Sequence, residues 1–244
     1  MAEENEDLSK AKVDYSEPPH EDFLVKHTLW PEVNKLYGHP HEIQQVVHNS
    51  THTILASACK ALSKDSGSII LWDTKTWKIL KILSFHNFTI YGLEFSPSDK
   101  YLASVSKDRK MAVYSNDFTM LFNYEAHLRA ITCLSFHLSE EYIITGSRDK
   151  HIKLHSISKQ KIIDEINLKQ PISAIAFART KEHQGIFIVG CFNGDIYIGA
   201  IENEKLSIKM KLPEENGHTQ EVTALKWNGN LFASSSHDFS VRIY

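Results

Sequence analysis

The chain has 244 residues, 42% of them hydrophobic, which allows one large all-β domain, two small domains or a repeat array. Its formal net charge of −3 divides into −6 over residues 1–22 and +3 over the remainder, a body too near neutral to argue for general nucleic-acid binding. Cys59, Cys133 and Cys191 are dispersed in apolar runs with no CxxC pairing, which argues for reduced thiols and an intracellular protein.

Residues 1–27 read as an acidic leader that is expected to stay disordered. They are poor in large apolar groups, contain Pro18-Pro19, and hold no apolar core for a signal peptide. No run of 18 apolar residues follows anywhere, so no spanning helix is expected. From Gly38-His39 onward one order recurs. A histidine opens each copy, then come an alternating apolar stretch, a polar turn, a strand rich in small residues, and a frame of the type D-x-x-apolar-x-apolar-aromatic.

The frames are SGSIILW from Ser66, DRKMAVY from Asp108, DKHIKLH from Asp149, NGDIYIG from Asn193 and DFSVRIY from Asp238. Their last residues, Trp72, Tyr114, His155, Gly199 and Tyr244, are spaced by 42, 41, 44 and 45 residues. A period of 40–45 residues with WD-like ends marks a β-propeller of four-stranded blades. The blades are expected near 39–83, 86–124, 127–166, 170–212 and 218–244, with the ring possible only if an incomplete last blade is closed. The segment 33–37 is the candidate for that closing strand, within a propeller domain spanning 28–244.

The alternation is strand-like: Tyr91, Leu93 and Phe95 are expected on one face, with Gly92 and Glu94 on the other. Turn residues such as Ser96-Pro97-Ser98-Asp99 and Asn193-Gly194 stand where strands reverse. His86 to Asp108 and His127 to Asp149 are each 22 residues apart, and His218 to Asp238 is 20. The Asp is expected in a tight turn, accepting hydrogen bonds from turn amides and from the opening histidine. The histidine then meets a second-strand hydroxyl, and that hydroxyl an aromatic N–H. The structural network so expected comprises His39, Trp72, His86, Asp108, His127, Asp149, His218 and Asp238. Tyr114 and Tyr244 are expected to substitute for the tryptophan; His155 and Gly199 are not.

No catalytic, cofactor-binding or metal-binding residues are expected. His151 and His155 are four apart, which on a strand separates them by about 13 Å, and no HExxH, GxxxxGK, GxGxxG or GxSxG occurs. The bases beside the turns, Arg109, Arg148 and Lys150 among them, form either a solvated rim or a patch for RNA phosphate or an acidic partner.

This pattern resembles the WD-repeat family over residues 35–244. In that family the residues two after the opening histidine face one surface of the disc. Here they are His41, Phe88, Arg129 and Gln220, a candidate partner-binding surface together with Arg109, Arg148 and Lys150. At finer grain, TLWPEVNKLYGH (28–39), LASACKA (55–61) with IILW (69–72), TGSRDK (145–150) and the end SSHDFSVRIY resemble the second-subunit family of the Elongator complex. That resemblance implies a non-catalytic scaffold without cofactor, in the cytoplasm and nucleus, serving wobble-uridine modification of tRNA. The implied partners are the other Elongator subunits, namely the large scaffold subunit and the radical-SAM/acetyl-CoA catalytic subunit, with a weak or indirect tRNA contact. The alternative is a generic WD-repeat adaptor, such as a ubiquitin-ligase substrate receptor or a signalling scaffold. That Elongator family carries two propellers, whereas five blades are recognisable here.

Overall fold

A computed structural model describes residues 34–244 apart from 62, 64 and 65. Residues 38–244 form one compact unit. They fold as nineteen strands in five antiparallel sheets, each built from strands consecutive in sequence. Blade 1 is β1 (Ile43–His48), β2 (Ile54–Cys59), β3 (Ser68–Asp73) and β4 (Ile79–Ser84). Blade 2 is β5 (Ile90–Phe95), β6 (Tyr101–Ser106), β7 (Lys110–Ser115) and β8 (Met120–Glu125). Blade 3 is β9 (Ile131–Phe136), β10 (Tyr142–Ser147), β11 (His151–Ser156) and β12 (Lys161–Asn167). Blade 4 is β13 (Ile172–Phe177), β14 (Ile186–Cys191), β15 (Ile196–Glu202) and β16 (Lys205–Lys211). Blade 5 is β17 (Val222–Asn228), β18 (Leu231–Ser236) and β19 (Val241–Ile243). A short 3-10 turn lies at Glu214–Asn216. The architecture is a five-bladed β-propeller.

A single sheet cannot bury its faces alone, so the core lies between blades. Four apolar layers correspond to the four junctions. Ala56, Ile69 and Leu71 of blade 1 meet Leu93, Phe95 and Leu102 of blade 2. Val105, Met111 and Val113 meet Ile131, Phe136 and Ile143. Ile144, Ile152 and Leu154 meet Ile172, Phe177 and Phe187. Ala176, Ile188 and Ile196 meet Val222, Leu225 and Phe232. Each fully buried Ile, Leu or Phe contributes about 1.5–3 kcal/mol. Glycine stands where the approach is closest. A Cβ on Gly146 would lie 2.5 Å from Ile172, and one on Gly190 would lie 2.6 Å from Val222, both across a blade junction.

Strands β5, β9, β13 and β17 each carry a bulge one residue after their first position, and β1 carries one between Ile43 and Gln45. The bulge corrects the expected alternation. Leu93 and Phe95 share the face toward blade 1, but Tyr91 falls out of register and lines the central cavity. Thr132, Ser173 and Thr223 occupy the corresponding positions and line it too. An inserted residue re-aims its side chain, so a polar residue at the bulges of β5, β9, β13 and β17 lines a cavity of about 350 Å³.

Successive inner strands pack along the series β1, β5, β9, β13 and β17, whereas β17 and β1 have no comparable contact among the described residues. The fifth sheet has three strands among the described residues, and Val241 and Ile243 on its last strand are 70% and 72% exposed. Residues 34–37, part of the candidate closing segment, carry no strand; Val33 and the acidic leader 1–27 lie outside the described residues. On the face away from the Asp turns, neighbouring blades are clasped. Ser50 donates through its N–H and Oγ to Asp99 at 2.7 and 2.6 Å, and Ser98 does the same to Glu140, at 2.6 Å for its Oγ.

Candidate interaction surface on the turn face

Three blades repeat one lock atom for atom. In blade 2, Asp108 Oδ1 accepts from the Lys110 amide at 2.9 Å, while Oδ2 accepts from the Asn87 amide at 3.1 Å and faces His86 Nδ1 at 3.0 Å. In blade 3, Asp149 Oδ1 accepts from the His151 amide at 3.0 Å, and Oδ2 accepts from the Leu128 amide and faces His127 Nδ1, both at 2.9 Å. In blade 5, Asp238 takes the amides of Ser240 at 3.0 Å and Thr219 at 3.2 Å, with His218 Nδ1 at 2.8 Å. The residue after each Asp is left-handed: Arg109 at φ 70°, Lys150 at 74° and Phe239 at 63°. Gly194, at φ 91°, holds that place in blade 4, and a Cβ there would meet the His218 carbonyl at 2.0 Å.

The far nitrogen of each histidine meets a second-strand hydroxyl. His39 Nε2 lies 2.8 Å from Ser57 Oγ, His86 Nε2 2.9 Å from Ser104 Oγ, and His218 Nε2 2.6 Å from Ser234 Oγ. In blade 1 Trp72 Nε1–H donates to Ser57 Oγ at 2.7 Å. Blade 3 corrects an expectation. His155 takes the tryptophan's part, with Nε2 2.7 Å from Thr145 Oγ1, which is 2.8 Å from His127 Nε2. His155 Nδ1 also meets Tyr124 Oη at 2.7 Å. One set of proton positions satisfies the whole run. Tyr124 donates to His155, His155 to Thr145, Thr145 to His127, and His127 to Asp149, with both imidazoles neutral.

The two tyrosines expected to stand in for tryptophan do not. Tyr114 Oη points toward Ser104 but is buried without a hydrogen bond. Tyr244 Oη donates instead to the Asn216 carbonyl at 2.5 Å. Blade 4 dispenses with the network and exchanges bulk across strands. Phe187 pairs with Gly199, and a Cβ on Gly199 would lie 2.3 Å from the Phe187 ring.

The electrostatics follow from burial and these bonds. Burial opposes the charge on Asp108 and Asp149, but the histidine and turn-amide hydrogen bonds outweigh it and hold both carboxyls below the usual range. Burial lowers the His127 imidazole and lowers His155 much further. Burial pushes the Cys133 and Cys191 thiols up to about 12, so neither carries a ready thiolate. Among the described residues no group of three or more His, Cys, Asp or Glu is placed to hold a metal ion, and no helix is long and apolar enough to cross a membrane.

The candidate surface residues stand on loops that these locks hold. A second serine, two before each Asp, does the holding. Ser106 Oγ donates to the Phe88 carbonyl at 3.0 Å, Ser147 Oγ to that of Arg129 at 3.3 Å, and Ser236 Oγ to that of Gln220 at 3.1 Å. Sequence reasoning missed this role, although S-x-D recurs at 106, 147 and 236. Phe88, Arg129, Arg148, Lys150 and Gln220 are exposed, while His41 is half-buried on blade 1. The Arg109 carbonyl accepts from the Ala126 amide at 2.9 Å, which ties the turn of blade 2 to blade 3. Arg109 itself pairs with Glu125 at 3.2 Å, so its charge is partly answered within the chain.

Comparison with known proteins agrees with this architecture. The WD domain, G-beta repeat family matches residues 30–73 and 210–244, and the anaphase-promoting complex subunit 4 WD40 domain family matches residues 93–180. Elongator complex protein 2 of Saccharomyces cerevisiae is 35% identical over 248 residues, covering 93% of this chain and 32% of that protein. The human protein of the same name is 42% identical over 151 residues, covering 56% of this chain and 18% of that one. The Arabidopsis thaliana protein is 34% identical over 239 residues, covering 89% and 28%. The chain thus spans less than a third of the length of these relatives. In fold, it matches the crystal structure of the computationally designed Ika8 protein with a TM-score of 0.70 at 23% identity, over 86% of this chain and 60% of that one. With its repeated locks, its five blades and these relatives, the chain belongs to the WD-repeat β-propeller family.

Proposed function

We propose that the chain acts as a non-catalytic scaffold of the Elongator complex, in cytoplasm and nucleus, supporting wobble-uridine modification of tRNA. The similarity to Elongator complex protein 2 across 93% of the chain carries this reading. The chemistry of the turn face agrees with it. The aspartates that a catalytic reading would recruit are occupied by turn amides and histidines in three blades alike. The partners are the other Elongator subunits, the large scaffold subunit and the radical-SAM/acetyl-CoA catalytic subunit, met through the turn face and its rim. Affinity capture of the tagged chain from its native cell, with mass spectrometry, tests it. Recovery of the radical-SAM subunit is expected; recovery of a cullin adaptor in its place contradicts it.

A further inference from the structure

The turn face of blades 2 to 4 carries a second, more local message. Phe88 and Leu128, 49% and 75% exposed, stand on the loops that open blades 2 and 3. Beside them are Arg129, Arg148 and Lys150, none of which has an acidic partner among the described residues. The nearest carboxylate, Asp149, turns inward to the His127 ring and two amides. Three cations without an acidic partner among the described residues thus share the turn face with two exposed apolar side chains.

These groups are held in place. The loop carbonyls are pinned by Ser106 and Ser147, and the Lys150 carbonyl accepts from the Leu168 amide at 3.0 Å, joining the turn of blade 3 to the link that leaves its outer strand. The Arg148 guanidinium lies 5.0 Å from the centre of the Phe192 ring, on the neighbouring blade. A stacked guanidinium keeps its N–H edges free and ordered, the arrangement suited to a carboxylate fork.

We propose that this surface docks an acidic peptide segment carrying one bulky apolar side chain. The carboxylates meet Arg129, Arg148 and Lys150, and the apolar side chain rests between Phe88 and Leu128. Charge complementarity selects acid over base. The state of Phe192 selects peptide over single-stranded RNA. Bases need open aromatic faces to stack on; the Phe192 face is covered by Arg148, which leaves the half-exposed Phe88 as the single open ring beside the more exposed, aliphatic Leu128. The inference goes beyond membership of a complex and stands on the loops alone.

Fluorescence anisotropy with the purified full chain tests it in 50 mM salt. The probes are fluorescein-labelled peptides EEEEFEEEE and EEEEAEEEE and a nine-nucleotide polyuridine. The Phe peptide is expected to bind about fivefold more tightly than the Ala peptide and more tightly than the RNA. Arg148→Glu is expected to weaken the Phe peptide about tenfold, and Leu128→Ala to erase its advantage over the Ala peptide. Lys209→Glu, on an outer strand where Lys209 pairs with Glu202, is expected to leave binding unchanged. Equal affinity for the two peptides, tighter binding of the RNA, indifference to Arg148→Glu, or no peptide binding at all would each overturn the proposal. The variants are surface changes, and circular dichroism checks that they melt as the parent does.

Discussion

Blades 3 and 4 are adjacent copies of one unit, yet they are held by different means. Blade 3 threads a buried polar chain through His155, Thr145, His127 and Asp149 to its turn, entered by Tyr124 from the outer strand of blade 2. Blade 4 has neither the histidine nor the turn-locking aspartate. It relies on Phe187 fitted against Gly199, on the left-handed Gly194 packed on the His218 carbonyl, and on exposed ties such as Lys211–Asp195 at 2.9 Å. Both leave the same four-stranded sheet. The difference teaches that the blade shape is specified by apolar layers between sheets, while the polar lock fixes the turn and the loops beside it.

The comparison breaks most sharply at Asp149. Asp149→Ala strands the buried His127 ring and two turn amides, and unfolding in urea should show a loss of about 3 kcal/mol. Asp195→Ala in blade 4, which removes a partly exposed ion pair, should cost under about 1 kcal/mol. Equal losses at the two sites would mean that the lock contributes no more than a surface pair.

Next comes the exchange of bulk. Gly199→Tyr restores in blade 4 the residue type found in blades 2 and 5, but collides with the Phe187 ring. A cost of about 2–3 kcal/mol is expected from overpacking. Phe187→Leu in the same chain should recover most of it, because Leu102 faces Tyr114 at the matching position in blade 2. A double variant as unstable as the single one would refute the exchange.

The tyrosines give a smaller and opposite pair of effects. Tyr124→Phe removes a donor to His155 and should cost about 1 kcal/mol. Tyr114→Phe removes a hydroxyl that is buried without a hydrogen bond, and should be neutral or slightly stabilising. Thermal melts of the two variants decide between these outcomes.

Acidification acts on the lock as a whole. His127 and His155 hold protons more weakly in the fold than in the unfolded chain, where histidine titrates near pH 6.5. Their contribution is complete above about that pH and is lost as pH falls below it. Asp108 and Asp149 are depressed below the unfolded value near 3.9, so their contribution is present above about pH 4 and is lost below it. Calorimetry should therefore show a melting temperature that declines from pH 6.5 downward and more steeply below pH 4. A melting temperature constant from pH 7 to 5 would contradict neutral buried imidazoles in blade 3.

Much of this was legible in the chain. The recurring frames placed the turns between second and third strands in blades 2 to 5, and the 22-residue interval from histidine to aspartate located partners that meet within hydrogen-bond distance in blades 2 and 3. What escaped notice depends on register and on three dimensions. A bulge leaves no trace in local alternation, so the re-aiming of Tyr91 into the cavity was hidden. The compensation between Phe187 and Gly199 lies across strands, twelve residues apart. The part played by His155 was overlooked because the expectation rested on an indole N–H, whereas an imidazole also donates, and its second nitrogen recruits Tyr124. On the candidate surface, neither the serines that pin the loops nor the Arg148–Phe192 stack was legible.

Amide hydrogen exchange at Asn87, Leu128 and Thr219, read residue by residue, probes most directly whether aspartate locks make the turn face a rigid platform. Each amide donates to an aspartate Oδ2, although all three residues lie in loops. Protection comparable to that of the central strands is the result expected of locked loops. Exchange at the rate of free loop amides, in blades that remain folded, would show a mobile face and end the account.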